Sequence, residues 1–148
     1  MTLRPRLFLD ASAWIAAAGS RTGASALVLD LCRQGLAAAV TSRLVLGEAE
    51  RNVRAKLGRD ALLRFYRDLA TVDPEIVPTP SPAAVAAQEG IIRAKDAHVI
   101  AAALKGAIEG LLTLDRRHFL TASVLKAGLP FDVITPGDFL RHFLRGGG

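Results

Sequence analysis

The chain has 148 residues, 51% apolar and 22% charged, with 19 Lys and Arg against 14 Asp and Glu for a formal net charge of +5. That length suits one compact domain able to bury roughly two-thirds of its unfolded surface without a staple, and the charge balance excludes a disordered chain. The single cysteine, Cys32, excludes a disulfide framework and a cysteine-rich zinc site, and it fits a reducing cytoplasm. The positive surplus favours a polyanionic partner and says nothing about catalysis.

Arg4 and Arg6 precede the apolar run 7–9, and 16–18 imitates a signal-peptidase site, but Asp10 interrupts what would be the apolar region. No stretch approaches the ~18 apolar residues of a spanning helix, so a cytoplasmic protein without a membrane segment is expected. A strand over 7–9 leads to a helix over 12–18 with Ser12 as its cap, which leaves Asp10 free to face a crevice. A helix over 24–34 follows, with Cys32 in an apolar setting that reads as a buried small hydrophobe. Next come a strand over 37–40, a helix over 42–56 capped by Ser42, a helix over 60–69 and a strand over 75–77. The stiff connector 77–82 is too short to divide the chain, and one domain over 1–145 is expected. Helices over 82–90 and 95–107, strands over 111–114 and 133–134, a helix over 137–144 and a frayed tail at 146–148 complete the pattern. There is no internal repeat.

Strand–helix alternation argues for an α/β fold with a mainly parallel sheet and helices on both faces. The strands lack an in/out polarity alternation, as expected when both faces are covered. In such a sheet the ligand crevice lies at the carboxyl ends of the strands, so chemistry is sought just after them.

Four acids stand where solvation does not explain them. Asp10 and Asp115 finish apolar strands, where a turn or cap acid is the ordinary reading. Glu48 has Leu44 and Val45 on its own side of a helix, where a boundary glutamate snorkelling to water, or pairing with Arg51 or Asn52, is the ordinary reading. Asp96 continues the stripe of Ile100, Ala103 and Ala107; its place in the first turn suits the helix dipole, but its place in an apolar stripe does not follow from that. Taken together, all four can converge on one crevice. At ~5 Å and an effective dielectric near 20, each close carboxylate pair repels by about 3 kcal/mol, and a hard divalent cation relieves that repulsion. An all-oxygen set, with no histidine or thiolate in the cluster, points to Mg²⁺ or Mn²⁺.

These residues resemble a PIN domain, the fold of many metal-dependent ribonucleases, including VapC-type toxins of bacterial toxin–antitoxin pairs. The likeness runs from residue 7 to about 143. It rests on Asp10 in Leu9-Asp10-Ala11-Ser12, on Glu48, on Asp96 leading an alanine-rich helix, on Thr113-Leu114-Asp115, and on the ending 134–140. It implies a three-layer α/β/α fold with five strands in the order 3-2-1-4-5. It also implies a catalytic, metal-binding set of Asp10, Asp96, Asp115 and Glu48 with Mg²⁺ or Mn²⁺ as cofactor. Ser12 and Thr113 would orient these ligands, and a cognate antitoxin and a homodimer would be partners. One departure matters: many relatives read Thr-x-Asp-x-Asp-Phe, whereas here Asp115 is followed by Arg116-Arg117-His118-Phe119, so a second metal loses a ligand. A surface or helix-start role is expected for His118, ahead of contact with a phosphate or a proton shuttle, and no role for His98.

The implied substrate is RNA, with Arg51, Arg54, Arg116 and Arg117 on its backbone, although a solvated face is the default for each. Aromatic residues are 5% of the chain, too few for extended base stacking, and Trp14 reads as helix packing. The alternative is a catalytically silent PIN-like scaffold that binds RNA or a protein. A clustered set of anions facing phosphate speaks against it. An aspartate-nucleophile phosphatase would want a second acid at position 12, where Ser12 stands.

Overall fold

A computed structural model describes residues 4–146. Its elements are β1 (Arg6–Leu9), α1 (Ala11–Gly19), α2 (Ala24–Arg33), β2 (Ala38–Thr41), α3 (Arg43–Lys56), α4 (Arg59–Val72) and β3 (Glu75–Ile76), then α5 (Pro82–Ala86), a 3-10 turn (Ala94–Asp96), α6 (Ala97–Lys105), β4 (Gly110–Leu112), α7 (Ala122–Leu125), β5 (Asp132–Ile134) and α8 (Pro136–Gly146). The five strands form one sheet in the order β3-β2-β1-β4-β5, parallel throughout, with helices on both sides.

The central strand shows why. Leu7, Phe8 and Leu9 are each buried to within 1% of complete, so both faces of β1 are covered and no polar alternation is possible. α1 is buried along most of its length; its alanines let α2, α3 and α4 approach, and Trp14 meets Phe65 of α4 edge-on with ring centroids 6.5 Å apart. α6 returns to β4 through a tight turn in which Ala107 takes a left-handed backbone (φ 50°). Arg6 holds that turn by donating to the carbonyls of Gly106 (2.7 Å) and Ala107 (3.2 Å). Because α6 runs back against the strand it feeds, its N-terminus lies at the carboxyl edge of the sheet. Asp96 is thereby brought to the same edge as Asp10 and Asp115.

Four local expectations are corrected. Ser12 is not the cap of α1: Asp10 takes that position, without a side-chain capping bond, and Ser12 sits one residue inside the helix. The helix expected over 82–90 stops at Ala86; α5 fully buries none of its residues, and its partly buried Val85 gives it little packing to carry it further. The strand expected over 111–114 is Gly110–Leu112, releasing Thr113 and Leu114 to the crevice. Gly146, expected to be frayed, completes α8, and 147–148 lie outside the described residues. The single turn α7, capped by the Thr121 hydroxyl, carries no helical periodicity long enough to read in advance.

Candidate metal centre

Strand register assembles the site. Leu9 of β1 is level with Leu112 of β4, so the next residues, Asp10 and Thr113, leave the sheet side by side. The Asp10 amide donates to the Leu112 carbonyl (3.1 Å). The Thr113 hydroxyl donates to Asp10 Oδ2 (2.9 Å), and Ser12 Oγ reaches the same oxygen at 3.3 Å. Both hydroxyls also accept from the far side: Thr113 Oγ1 from the Asp115 amide (3.1 Å) and Ser12 Oγ from the Leu114 amide (2.9 Å). Two strand ends are thus bridged through two hydroxyls, and Asp10 is oriented by both.

The other acids arrive from separate elements. Ser42 caps α3 by accepting from the Val45 amide, and Glu48 follows about a turn and a half later, half-buried. Asn52, the neighbour considered as a partner for Glu48, donates to its backbone carbonyl (2.9 Å) and not to its carboxylate. Asp96 closes the 3-10 turn at the head of α6 and is 6% exposed, with the Arg93 guanidinium hydrogen-bonded to its Oδ2. Asp115 follows β4, half-buried, and its Oδ1 accepts from the His118 amide (3.1 Å).

Asp10, Glu48, Asp96 and Asp115 line one cavity of about 480 Å³. Arg51, Lys56, Arg93 and Lys95 line it too, all exposed, and so do Ile15 and the fully buried Phe119. Acids lie deep and cations at the mouth. Three of the carboxylates have distinct surroundings. Burial raises the Asp10 carboxyl from 3.8 to about 6; the Glu48 charge adds to this, and the Thr113 and Ser12 hydroxyls oppose it. Asp96 has a guanidinium against it, and Asp115 an imidazole. The donor chemistry fits a divalent cation, which would serve all four at once.

The basic residues sort differently from expectation. Arg51 lines the cavity, whereas Arg54 donates to the Tyr66 hydroxyl (3.1 Å) and Arg116 and Arg117 are exposed outside the lining. Arg93 and Lys95 line the cavity in addition to the arginines named from the sequence; their one visible signal there is adjacency to Asp96. His118 stands in a helical turn, as expected of a helix-start residue: its amide donates to Asp115 Oδ1 and the Phe119 amide to the Asp115 carbonyl. Its ring is half-buried with Nδ1 3.0 Å from Asp115 Oδ2, and donor atoms of Asp96, Asp115 and His118 lie within 4.8 Å of one another. The turn 115–118 folds the imidazole back onto the carboxylate, so a histidine stands beside the acids expected to form an all-oxygen set. His98 is also nearer than expected: burial holds it below the usual histidine range against the pull of Glu48 and Asp96. Trp14 is 1% exposed, as its packing role requires.

The model of the PIN domain matches residues 6–117, a span that contains all four acids and ends one residue before His118. No curated protein matches the chain. With the 3-2-1-4-5 parallel sheet and the acidic crevice at its carboxyl edge, this match places the chain in the PIN-domain family, whose fold is generally that of nucleases.

Proposed function

We propose that the protein is a divalent-metal-dependent ribonuclease that hydrolyses RNA phosphodiester bonds. The observation that carries this reading is the convergence of Asp10, Glu48, Asp96 and Asp115, from four separated segments, on one cavity with a cationic mouth. A scaffold that merely held RNA would gain nothing from buried carboxylates facing phosphate.

Asp10, Asp96 and Asp115, with Glu48, would hold Mg²⁺ or Mn²⁺. Such an ion, when bound, supplies a water of lowered pKa and positive charge against the phosphoryl oxygens. The chain's own residues do the rest. Thr113 and Ser12 keep the Asp10 carboxylate aimed into the cavity. Arg51, Lys56, Arg93 and Lys95 take the flanking phosphates, and Ile15 and Phe119 give the cavity an apolar wall that limits water. A role as the toxin of a toxin–antitoxin pair, with a cognate antitoxin and a homodimer, belongs to the same proposal. It rests on the family likeness rather than on a contact in this chain.

The test is cleavage of RNA by wild type, Asp10→Ala and Asp96→Ala, with Mg²⁺ or Mn²⁺ and with EDTA. Activity is expected with either ion, and loss of at least a hundredfold in EDTA and in both variants, whose circular dichroism stays native. Cleavage that survives EDTA would falsify the assigned site, and tight RNA binding without turnover under any ion would favour the scaffold.

A further inference from the structure

We propose that His118 is a nitrogen donor to the metal site, so that the site selects nitrogen-tolerant first-row ions such as Mn²⁺ and Co²⁺ over Mg²⁺. This rests on the metal-dependent reading of the cavity and names a ligand that the quartet of acids does not contain.

The geometry is that of two donors sharing an ion. Donors on adjacent corners of an octahedron, each about 2.1 Å from the metal, stand about 3.0 Å apart. His118 Nδ1 lies 3.0 Å from Asp115 Oδ2 and 3.2 Å from Oδ1. Donor atoms of Asp96, Asp115 and His118 all lie within 4.8 Å of one another, near enough for small side-chain movements to bring all three to one cation. The imidazole nitrogen therefore already faces both carboxylate oxygens at the spacing a shared cation requires.

The histidine is also held there. Its amide donates to Asp115 Oδ1 and the Phe119 amide donates to the Asp115 carbonyl (3.0 Å), so the turn 115–119 is closed twice. Phe119 is 1% exposed and anchors the turn in the core. A freely rotating surface histidine would have neither restraint. Imidazole suits the later first-row ions best and Mn²⁺ accepts it beside carboxylates, whereas Mg²⁺ takes oxygen ligands and dehydrates reluctantly. The rival is a positioning role, in which His118 only orients Asp115. The two differ in what they predict. Loss of an orienting group weakens every ion alike, by roughly 10–100-fold, whereas loss of a nitrogen ligand weakens Mn²⁺ and spares Mg²⁺.

The full chain loaded with Mn²⁺ is to be studied by pulsed EPR, with unlabelled and ¹⁵N-histidine protein. Calorimetric titration with Mn²⁺ and Mg²⁺ is to be run on wild type and His118→Gln. A directly bonded nitrogen coupling that changes with the isotope and disappears in the variant is expected. Mn²⁺ affinity should fall at least tenfold in His118→Gln while Mg²⁺ affinity stays within about twofold. A Mn²⁺ signal without histidine nitrogen coupling in wild type overturns the proposal even if the variant does not fold. So does an equal loss for both ions, or a coupling that persists in His118→Gln. In the first two cases RNA cleavage with metal still stands. If neither ion binds and Asp10→Ala changes nothing, the metal-dependent reading falls together with the role of His118.

Discussion

Asp10 is 5% exposed, and its carboxyl titrates near 6 because burial disfavours the anion more than two hydroxyl donors favour it. The consequence for stability has a definite sign. Below pH 4 the group is protonated folded or unfolded and contributes no pH dependence. Between pH 4 and 6 the folded chain keeps a proton that the unfolded chain releases, so stability falls as pH rises, and above about 6 the loss is complete. Asp10→Asn, which keeps an oxygen for Thr113 to donate to, should therefore stabilise the metal-free protein at pH 7.5 by roughly 1–3 kcal/mol and have little effect near pH 4. Urea unfolding at the two pH values measures the difference. Saturating Mn²⁺ should narrow it, because the ion stabilises only the wild-type carboxylate. At this scale the four acids were legible in the sequence, each because an acid sat where an apolar strand or stripe required burial. Ser12 was legible as a residue near the site but not in its role. A serine two residues past a strand looks like a cap until β4 is known to lie alongside, offering the Leu114 amide.

Helices act here as brackets that set how far a side chain stands from the sheet. Ser42 starts α3 at the exit of β2, and the length of helix between them puts Glu48 over the crevice and Arg51 and Lys56 at its mouth. Removing the cap leaves a backbone donor of the first turn without its partner. Ser42→Ala should cost about 1 kcal/mol in denaturant unfolding and lower activity only modestly, because α3 remains packed on α1 and keeps Val45, Ala49 and Val53 buried. The 3-10 turn ahead of α6 works the other way. By tightening the helix entry it sets Asp96 deep and turns Arg93 back onto it. Long elements were legible because an apolar stripe over several turns specifies a helix by itself. The early end of α5 and the single turn α7 were not, since so short a stretch contains too few periods for a stripe to show.

Across the whole molecule the net charge of +5 matters less than where the cations stand. Arg51, Lys56, Arg93 and Lys95 surround an acidic interior, which sets these four cations apart from those elsewhere on the surface. If all four meet phosphates of a single strand, the log–log dependence of RNA affinity on salt should have a slope of about −3, and Lys95→Ala should make it shallower by about 0.7. Filter binding in EDTA reads this without turnover. Arg54→Ala should leave the slope unchanged, because that guanidinium is turned to Tyr66. No helix among the described residues is long and apolar enough to cross a membrane.

Read without coordinates, the chain already dictates its strands, its long helices, their parallel α/β arrangement and the four acids of the crevice. Each of these follows from local periodicity or from an acid placed where apolar neighbours demand burial. The tertiary structure alone decides that Arg93 and Lys95 rather than Arg116 and Arg117 face the cavity, that Ser12 bridges two strand ends, and that the His118 ring lies against Asp115. A side chain's neighbours across the sheet depend on strand register and on turns only a few residues long, which leave no repeating pattern along the chain.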